Sequence, residues 1–374
     1  MKVLSNYNFF TQLFLLLIFN LFAFAVSAQE SDDATYEAYK NFDFVSGKKV
    51  IFFDDFQNGL SKWSVIEFDK SEEVESPGIK TISNTPFKWL KTPRKGLMFP
   101  TLVKVLPDAF TIEFDMWADT ERMSEMEGGL NLIFVTNTPN RQDFSIHFDE
   151  NPQIQLDIHP SSEVLYCTAL KENSSEDRIL DNRIIKNGWQ AGKIHRISIA
   201  RNKAHVKVYV DERKFIDLPN GLPKAGKYTL ILSTNMWGDG IYFSNFRLAE
   251  GIPDLVAQLN TEGKFVTRGI YFNVNAATIK PESWPALNDA ASAIKATTGK
   301  ITIVGHTDSD GTDEANLLLS RKRAESVKQT LINDFGVAAD RLLTDGKGES
   351  QPAEPNTTPE GKANNRRVEF IKTK

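Results

Sequence analysis

Between Phe44 and Leu248 the sequence never sustains a helical period, and this long stretch constrains the fold more than any other feature. Its apolar residues fall in short runs: Lys49–Phe53, Thr111–Trp117, Leu130–Val135, Phe144–Phe148, Gln153–Ile158, His195–Ala200, Ala204–Val210, Tyr228–Leu232 and Ile241–Arg247. Between them stand Asn58-Gly59, Asn187-Gly188, Asn220-Gly221 and Gly238-Asp239-Gly240. Asn and Gly accept the positive φ that tight turns demand. Many short strands at turn-punctuated intervals predict an all-β sandwich over 44–250. Within it, His195–Asn202 followed by Val206–Asp211 reads as an amphipathic hairpin.

Gly251, Pro253, Asn260 and Gly263 then interrupt all periodicity, which predicts a linker over 251–264. Beyond it the period lengthens. Strands are expected at 265–272, 300–304, 342–346 and 367–372, with helices at 281–296 and 314–334. Pro281 in the opening turn and Gly299 just past the end delimit the first of these helices. A βαβαββ order gives an α+β domain over 265–374, its helices on one face of a mixed sheet. In the second helix Asn316, Ser320 and Arg323 share one face at i, i+4 and i+7, and the stripe continues into Val327 and Leu331. A polar beginning that turns apolar describes a helix leaving a ligand pocket for a core. Asp308, in the turn after the strand Ile301–Val304, joins Arg323 as a two-charge receptor suited to a zwitterion.

The N-terminal end is not read as fold. Phe9 to Val26 is strongly apolar and runs into Val26-Ser27-Ala28, which predicts a signal peptide over 1–28, cut after Ala28, rather than a membrane anchor. A flexible leader is expected over 29–43. No Cys follows the cut to carry a lipid. Cys167, the single cysteine, excludes an intramolecular disulfide and a cysteine-based zinc cluster. A chain of 374 residues suits two domains, and a net charge of −5 without a basic, aromatic-interleaved stripe argues against nucleic acid.

Several ordered motifs carry a resemblance. Gly305-His306-Thr307-Asp308, Asn316 to Ala324 with its Leu319-Ser320 and Arg323-Ala324, Gly346-Lys347-Gly348-Glu349-Ser350 with Pro352 and Asn356, and Asn365-Arg366-Arg367-Val368-Glu369 resemble the OmpA-like peptidoglycan-binding domain. The resemblance implies peptidoglycan as partner, held through the meso-diaminopimelate of its stem peptide. Asp308 would take the ammonium and Arg323 the carboxylate, with Asn275 and Asn316 orienting the ligand and Arg366 adding a second cation. Asn273 and Lys362 depart from the residues common in that family. No cofactor is implied. More loosely, Tyr209-Val210-Asp211 and Ile241–Arg247 resemble a concanavalin A-like or laminin-G-like jelly roll. The combination resembles a type found in exported proteins of Bacteroidetes-like bacteria. Together the resemblances imply a periplasmic protein, associated with the outer membrane and the wall, that tethers the outer membrane or a partner to peptidoglycan. The alternative is a carbohydrate-binding protein whose sandwich binds glycan while the C-terminal domain only retains it. In either case the sandwich's partner is a glycan or an outer-membrane protein.

The remaining residues read more plainly. Glu113 and Asp115 begin the Glu-x-Asp pattern of a jelly-roll hydrolase family, but Trp117 and Ala118 stand where the second Glu is required, so no enzyme is expected. The two acids read instead as the solvated face of a half-buried strand. Trp63, Trp89, Trp117, Trp189 and Trp237 read as packing residues before sugar platforms. Adjacent Asp54 and Asp55 are weak grounds for calcium, and no metal is assigned. His306, Asn365 and Arg367 read as structural.

Overall fold

The computed structural model describes residues 42–68, 77–82, 85, 87–101, 105–118, 128–135, 153–158, 165–170, 178–184, 192–222, 228–236 and 241–373. The expected signal peptide and most of the leader lie outside the described residues, as do Phe144–Phe148, Trp189 and Trp237. The N-terminal region is strand-rich: β1 (Lys49–Asp54), β2 (Trp63–Glu67), β3 (Gly78–Thr81), β4 (Lys88–Lys91), β5 (Lys95–Pro100), β6 (Ala109–Trp117), β7 (Gly128–Val135), β8 (Gln153–Ile158), β9 (Leu165–Leu170), β10 (Arg178–Ile184), β11 (His195–Asn202), β12 (His205–Val210), β13 (Arg213–Leu218), β14 (Thr229–Met236) and β15 (Tyr242–Glu250). One antiparallel sheet runs β13-β12-β11-β6-β15-β4-β3, with β1 also on β15, and the other runs β10-β9-β8-β7-β14-β5-β2.

The two sheets share one apolar core. Phe110, Ile112, Phe114 and Met116 alternate along β6 and meet Leu130, Leu132 and Phe134 of β7. Period-two alternation puts these residues on one face of each strand, which is why the pattern was readable. Trp63 stands edge-on to Phe246 at 5.0 Å and to Phe243 at 5.5 Å. The expected hairpin forms, with Asn202 opposite His205 and Lys203 at φ +56° in its two-residue turn.

The C-terminal domain comprises α1 (Leu255–Thr261), β16 (Lys264–Thr267), a 3-10 turn (Pro281–Ser283), α2 (Trp284–Lys295), β17 (Ile301–His306), α3 (Asp313–Asn333), β18 (Leu342–Gly348), α4 (Pro359–Asn365) and β19 (Val368–Lys372). Its sheet order is β16-β19-β17-β18, parallel only between β17 and β18. Three expectations are corrected. The segment 251–264 is no plain linker: Asp254 caps α1 by accepting from the Ala257 amide at 3.0 Å, and Leu255 and Leu259 bury themselves in the C-terminal core. The βαβαββ order lacks α4, which Thr358 caps by accepting from Gly361 N at 3.0 Å, with Pro359 opening the first turn. The first strand ends at Thr267 rather than Phe272, which makes only an isolated bridge to Ile279.

The two regions are closely docked. Among the described residues β1 pairs only with β15, leaving its other edge open, and α4 covers that edge. Asn364 accepts from Val50 N at 3.0 Å and donates to Val50 O at 2.8 Å, as a neighbouring strand would. Glu360 accepts from Phe53 N at 3.0 Å and from Lys62 Nζ at 2.6 Å. At a second contact Phe42 and Phe44 pack with Tyr209 and with Trp284 of α2. Asp43 accepts from the Tyr209 hydroxyl at 2.9 Å. The end of the expected leader is therefore fixed by aromatic packing.

Glu113 gives the largest correction. It is 1% exposed, not solvated, because the C-terminal domain closes over it. Arg247 Nη1 donates to it at 2.8 Å, Arg196 Nη2 at 3.0 Å, Ser46 Oγ at 2.5 Å and the Tyr271 hydroxyl at 2.5 Å. Arg247 also donates to Ser46 Oγ. Alternation identifies a strand's second face and says nothing about a domain that covers it. Asp115, beside it, accepts from Arg196 Nη1 at 2.8 Å and Asn245 Nδ2 at 2.6 Å.

Candidate ligand site

The site forms where β17 turns into α3. Close packing of helix on sheet sets it: a Cβ on Gly305 would lie 2.3 Å from the Ser320 carbonyl oxygen, and one on Gly346 would lie 2.5 Å from Arg321 N. Only residues without side chains permit that approach. Ser320 locks it by accepting from Gly348 N at 2.9 Å and donating to Leu317 O at 2.8 Å. Thr312 caps α3, accepting from Ala315 N at 3.3 Å.

Asp308 follows β17 and is 7% exposed. Its Oδ1 accepts from Asp310 N at 3.2 Å, an Asx turn, and its Oδ2 from Arg366 Nη1 at 2.5 Å. Asn316 holds the same turn, donating from Nδ2 to Asp308 O at 3.2 Å and to Glu349 Oε2 at 2.5 Å. Arg323 donates from Nε to Ala276 O at 3.0 Å, and its guanidinium lies 4.8 Å from the centre of the Phe272 ring. Its Nη1 and Nη2 make no hydrogen bond among the described residues. Burial lowers its pKa and the Arg366 charge adds to that, while Asp308 opposes both.

Asn275 is exposed at φ +54°, a conformation Asn tolerates better than most residues. The turn it makes presents the Ala276 carbonyl to Arg323. Of the expected site residues, Asp308, Asn316 and Arg366 are directly bonded, Arg323 shares their field, and Asn275 stands next to its anchor. Lys362, one of the two departures, donates to Asp310 Oδ1 at 2.6 Å.

The flanking residues are structural. Asn365 accepts from Ala353 N at 2.7 Å and Glu354 N at 3.0 Å and donates to Glu354 O and Asn356 Oδ1, both at 2.8 Å. Arg367 donates to Glu369 Oε1 from Nε at 2.8 Å and to Gln351 O from Nη2 at 3.0 Å. His306 is buried with neither ring nitrogen hydrogen-bonded, and burial together with the Arg367 charge brings its pKa down to about 4.

Sequence reasoning missed what lies opposite. A cleft of about 240 Å³ separates the two regions, lined by Arg323, Arg366 and Phe272 on one side and by Phe53, Arg196 and Asn245 on the other. The Arg366 guanidinium lies 5.5 Å from the centre of the Phe53 ring. No local motif announces a residue so distant in the chain. The cleft offers planar guanidinium donors, which suit a ligand carboxylate, and the buried Asp308 carboxylate lies behind one of them, bonded to Arg366. Among the described residues no group of three or more His, Cys, Asp or Glu is placed to hold a metal.

The OmpA family model matches residues 271–366, a span holding all five expected site residues. Outer membrane porin F of Pseudomonas aeruginosa is 40% identical over 101 residues, 27% of this chain and 29% of its own length. The peptidoglycan-binding protein ArfA of Mycobacterium tuberculosis is 34% identical over 151 residues, 37% of this chain and 45% of its own. The chain thus spans less than half the length of either relative. Among solved structures, the peptidoglycan-associated lipoprotein of Burkholderia pseudomallei aligns at 28% identity and a TM-score of 0.26, over 28% of this chain and 88% of that one. Behind a strand-rich N-terminal region, the C-terminal end of this chain is an OmpA-like domain.

Proposed function

We propose that the chain is a non-catalytic, exported cell-envelope protein that binds peptidoglycan through the diaminopimelate of its stem peptide and tethers the outer membrane or a partner to the wall. One observation carries the reading: two uncommitted guanidinium nitrogens of Arg323 stand in the field of the buried Asp308 carboxylate. The free end of diaminopimelate bears an ammonium and a carboxylate on one carbon. A carboxylate accepts about four hydrogen bonds. Asp308 uses two, from Asp310 and Arg366, and so keeps capacity for the ammonium. The ligand carboxylate takes the Arg323 fork, with Arg366 beside it. Asn316 fixes the Asp308 turn, and Asn275 adjoins the Ala276 carbonyl that anchors Arg323.

The relative named as a peptidoglycan-binding protein and the outer-membrane porin support this class of function. Among the described residues no helix is long and apolar enough to cross a membrane. We read the strand-rich region as a concanavalin A-like or laminin-G-like jelly roll that engages the partner. Glycan binding by that region, the second reading, rests on Trp117 and Tyr242, whose rings meet edge to face at 5.3 Å while both stay partly exposed. Trp63 and Trp89 are buried, donating to Asp54 Oδ2 and Thr85 Oγ1, and offer no sugar platform.

The test is calorimetric titration with L-alanyl-γ-D-glutamyl-meso-diaminopimelate beside the same tripeptide ending in L-lysine. The lysine peptide lacks the carboxylate meant for Arg323, and losing one charge-assisted pair costs about 1.5–3 kcal/mol. Binding at least about tenfold tighter for the diaminopimelate peptide is expected. Equal binding of the two overturns the reading.

A further inference from the structure

Arg268 lies just outside the matched span 271–366. It follows β16 and lines the same interdomain cleft as Arg323. Its Nε donates to Asn364 O at 3.2 Å and its Nη1 to Lys48 O, a carbonyl of the strand-rich region. Both partners are neutral, and Nη2 has no hydrogen-bond partner among the described residues.

The other arginines around the cleft are matched. Arg196 pairs with Glu113 and Asp115, Arg247 with Glu113, Arg366 with Asp308 and Arg367 with Glu369. Neither Arg268 nor Arg323 forms an ion pair among the described residues; Asp308 acts on Arg323, and Glu369 and Glu354 on Arg268, only through space. Two cations without an ion-pair partner therefore face one cleft, and a desolvated guanidinium is satisfied best by a carboxylate in its own plane. Burial and the neighbouring charges of Arg247 and Arg367 push the Arg268 pKa down to about 10, outweighing the opposing pull of Glu369 and Glu354.

We propose that the cleft is a two-anion site, in which Arg268 takes a ligand carboxylate other than the one that Arg323 takes. The inference rests on the diaminopimelate reading of Arg323. It makes the strand-rich region part of the site, since the Lys48 carbonyl fixes Arg268 and Phe53 supports Arg366. The ligand class is a peptide with at least two free carboxylates, which a stem peptide supplies at its glutamyl α-position, its C-terminus and the diaminopimelate side chain.

The experiment titrates the full chain with three forms of L-alanyl-γ-D-glutamyl-meso-diaminopimelate: the free peptide, its glutamyl α-amide and its C-terminal amide. One amidation is expected to weaken binding to the wild type about tenfold, as loss of a charge-assisted pair does. Arg268→Ala, and Arg268→Gln, which keeps donors for the two carbonyls, should erase that difference and bind the amide as the wild type does. Arg323→Ala should weaken every form. Equal wild-type affinity for all three forms overturns the two-anion site and leaves the Arg323 reading standing. So does an equal loss on all three in the Arg268 variants, which assigns that residue to domain docking alone. Binding of none of the forms by the wild type overturns the diaminopimelate reading itself, and this one with it.

Discussion

Glu113 and Asp308 are both buried carboxylates facing arginines, yet their surroundings give them different work. Glu113 accepts from four side chains and has no lone pair to spare. Removing one partner of such a buried pair costs about 3–5 kcal/mol, so Glu113→Ala should lower the urea unfolding free energy by that much. Burial pushes the Glu113 carboxyl up, but Arg247 and Arg196, with the Ser46 and Tyr271 hydrogen bonds, outweigh it and hold the pKa at about 2, against 4.5 ordinarily. The sign follows. The unfolded chain takes this proton first, so the stabilisation is full above 4.5 and is lost as pH falls from 4.5 to about 2. It is on the order of 3 kcal/mol. Urea midpoints against pH should show this acid limb in the wild type, and Glu113→Gln should flatten it. His306 acts in a higher window. Its folded pKa of about 4 lies below the ordinary 6.5, so acidification from 6.5 to about 4 destabilises the neutral, buried ring. The motif residues around Asp308 were legible because several stand together in short ordered runs. The burial of Glu113 was not, because Ser46, Arg196, Arg247 and Tyr271, which enclose it, stand 67 to 158 positions away in the chain.

Element by element, what could be read was what is long or strictly periodic. The helix expected at 314–334 is α3 at Asp313–Asn333, its buried stripe running Asn316, Ser320, Ala324, Val327, Leu331. Strands β6, β8, β11 and β15 were foreseen within a few residues. Strands β2, β3, β4, β5, β9, β10 and β13 were missed; β2, β3 and β4, at four or five residues, have too few alternations to rise above a loop. Helix α1 was hidden by its seven residues and by the Gly and Asn around it, since tertiary packing on Leu255 and Leu259 stabilises it more than propensity does. Truncating that packing in Leu259→Ala should cost about 2–5 kcal/mol, measured by denaturant unfolding of the full chain. Gly305→Ala sets a methyl group against the Ser320 carbonyl and must lift α3 from the sheet. A loss of about 1–3 kcal/mol is expected, with ligand affinity falling as Arg323 shifts.

For the whole molecule, three of the contacts between the strand-rich region and the OmpA-like domain stand out among the described residues: α4 on the open edge of β1, the Glu113 network, and the aromatic group around Tyr209 and Trp284. The first supplies missing strand-like hydrogen bonds, the second satisfies a buried charge, and the third buries apolar rings. A segment begun at residue 252 should therefore fold, since it keeps α1, whereas one begun at 265 should melt earlier. The central claim is that Asp308 and Arg323 grip the cell wall. Its most direct test is retention of the full chain on purified diaminopimelate-type sacculi, with Asp308→Ala and Arg323→Ala alongside. Each variant should lose about 2–5 kcal/mol of binding and wash through while the wild type stays bound. A folded wild type that washes through, or variants retained as well as the wild type, would contradict the account.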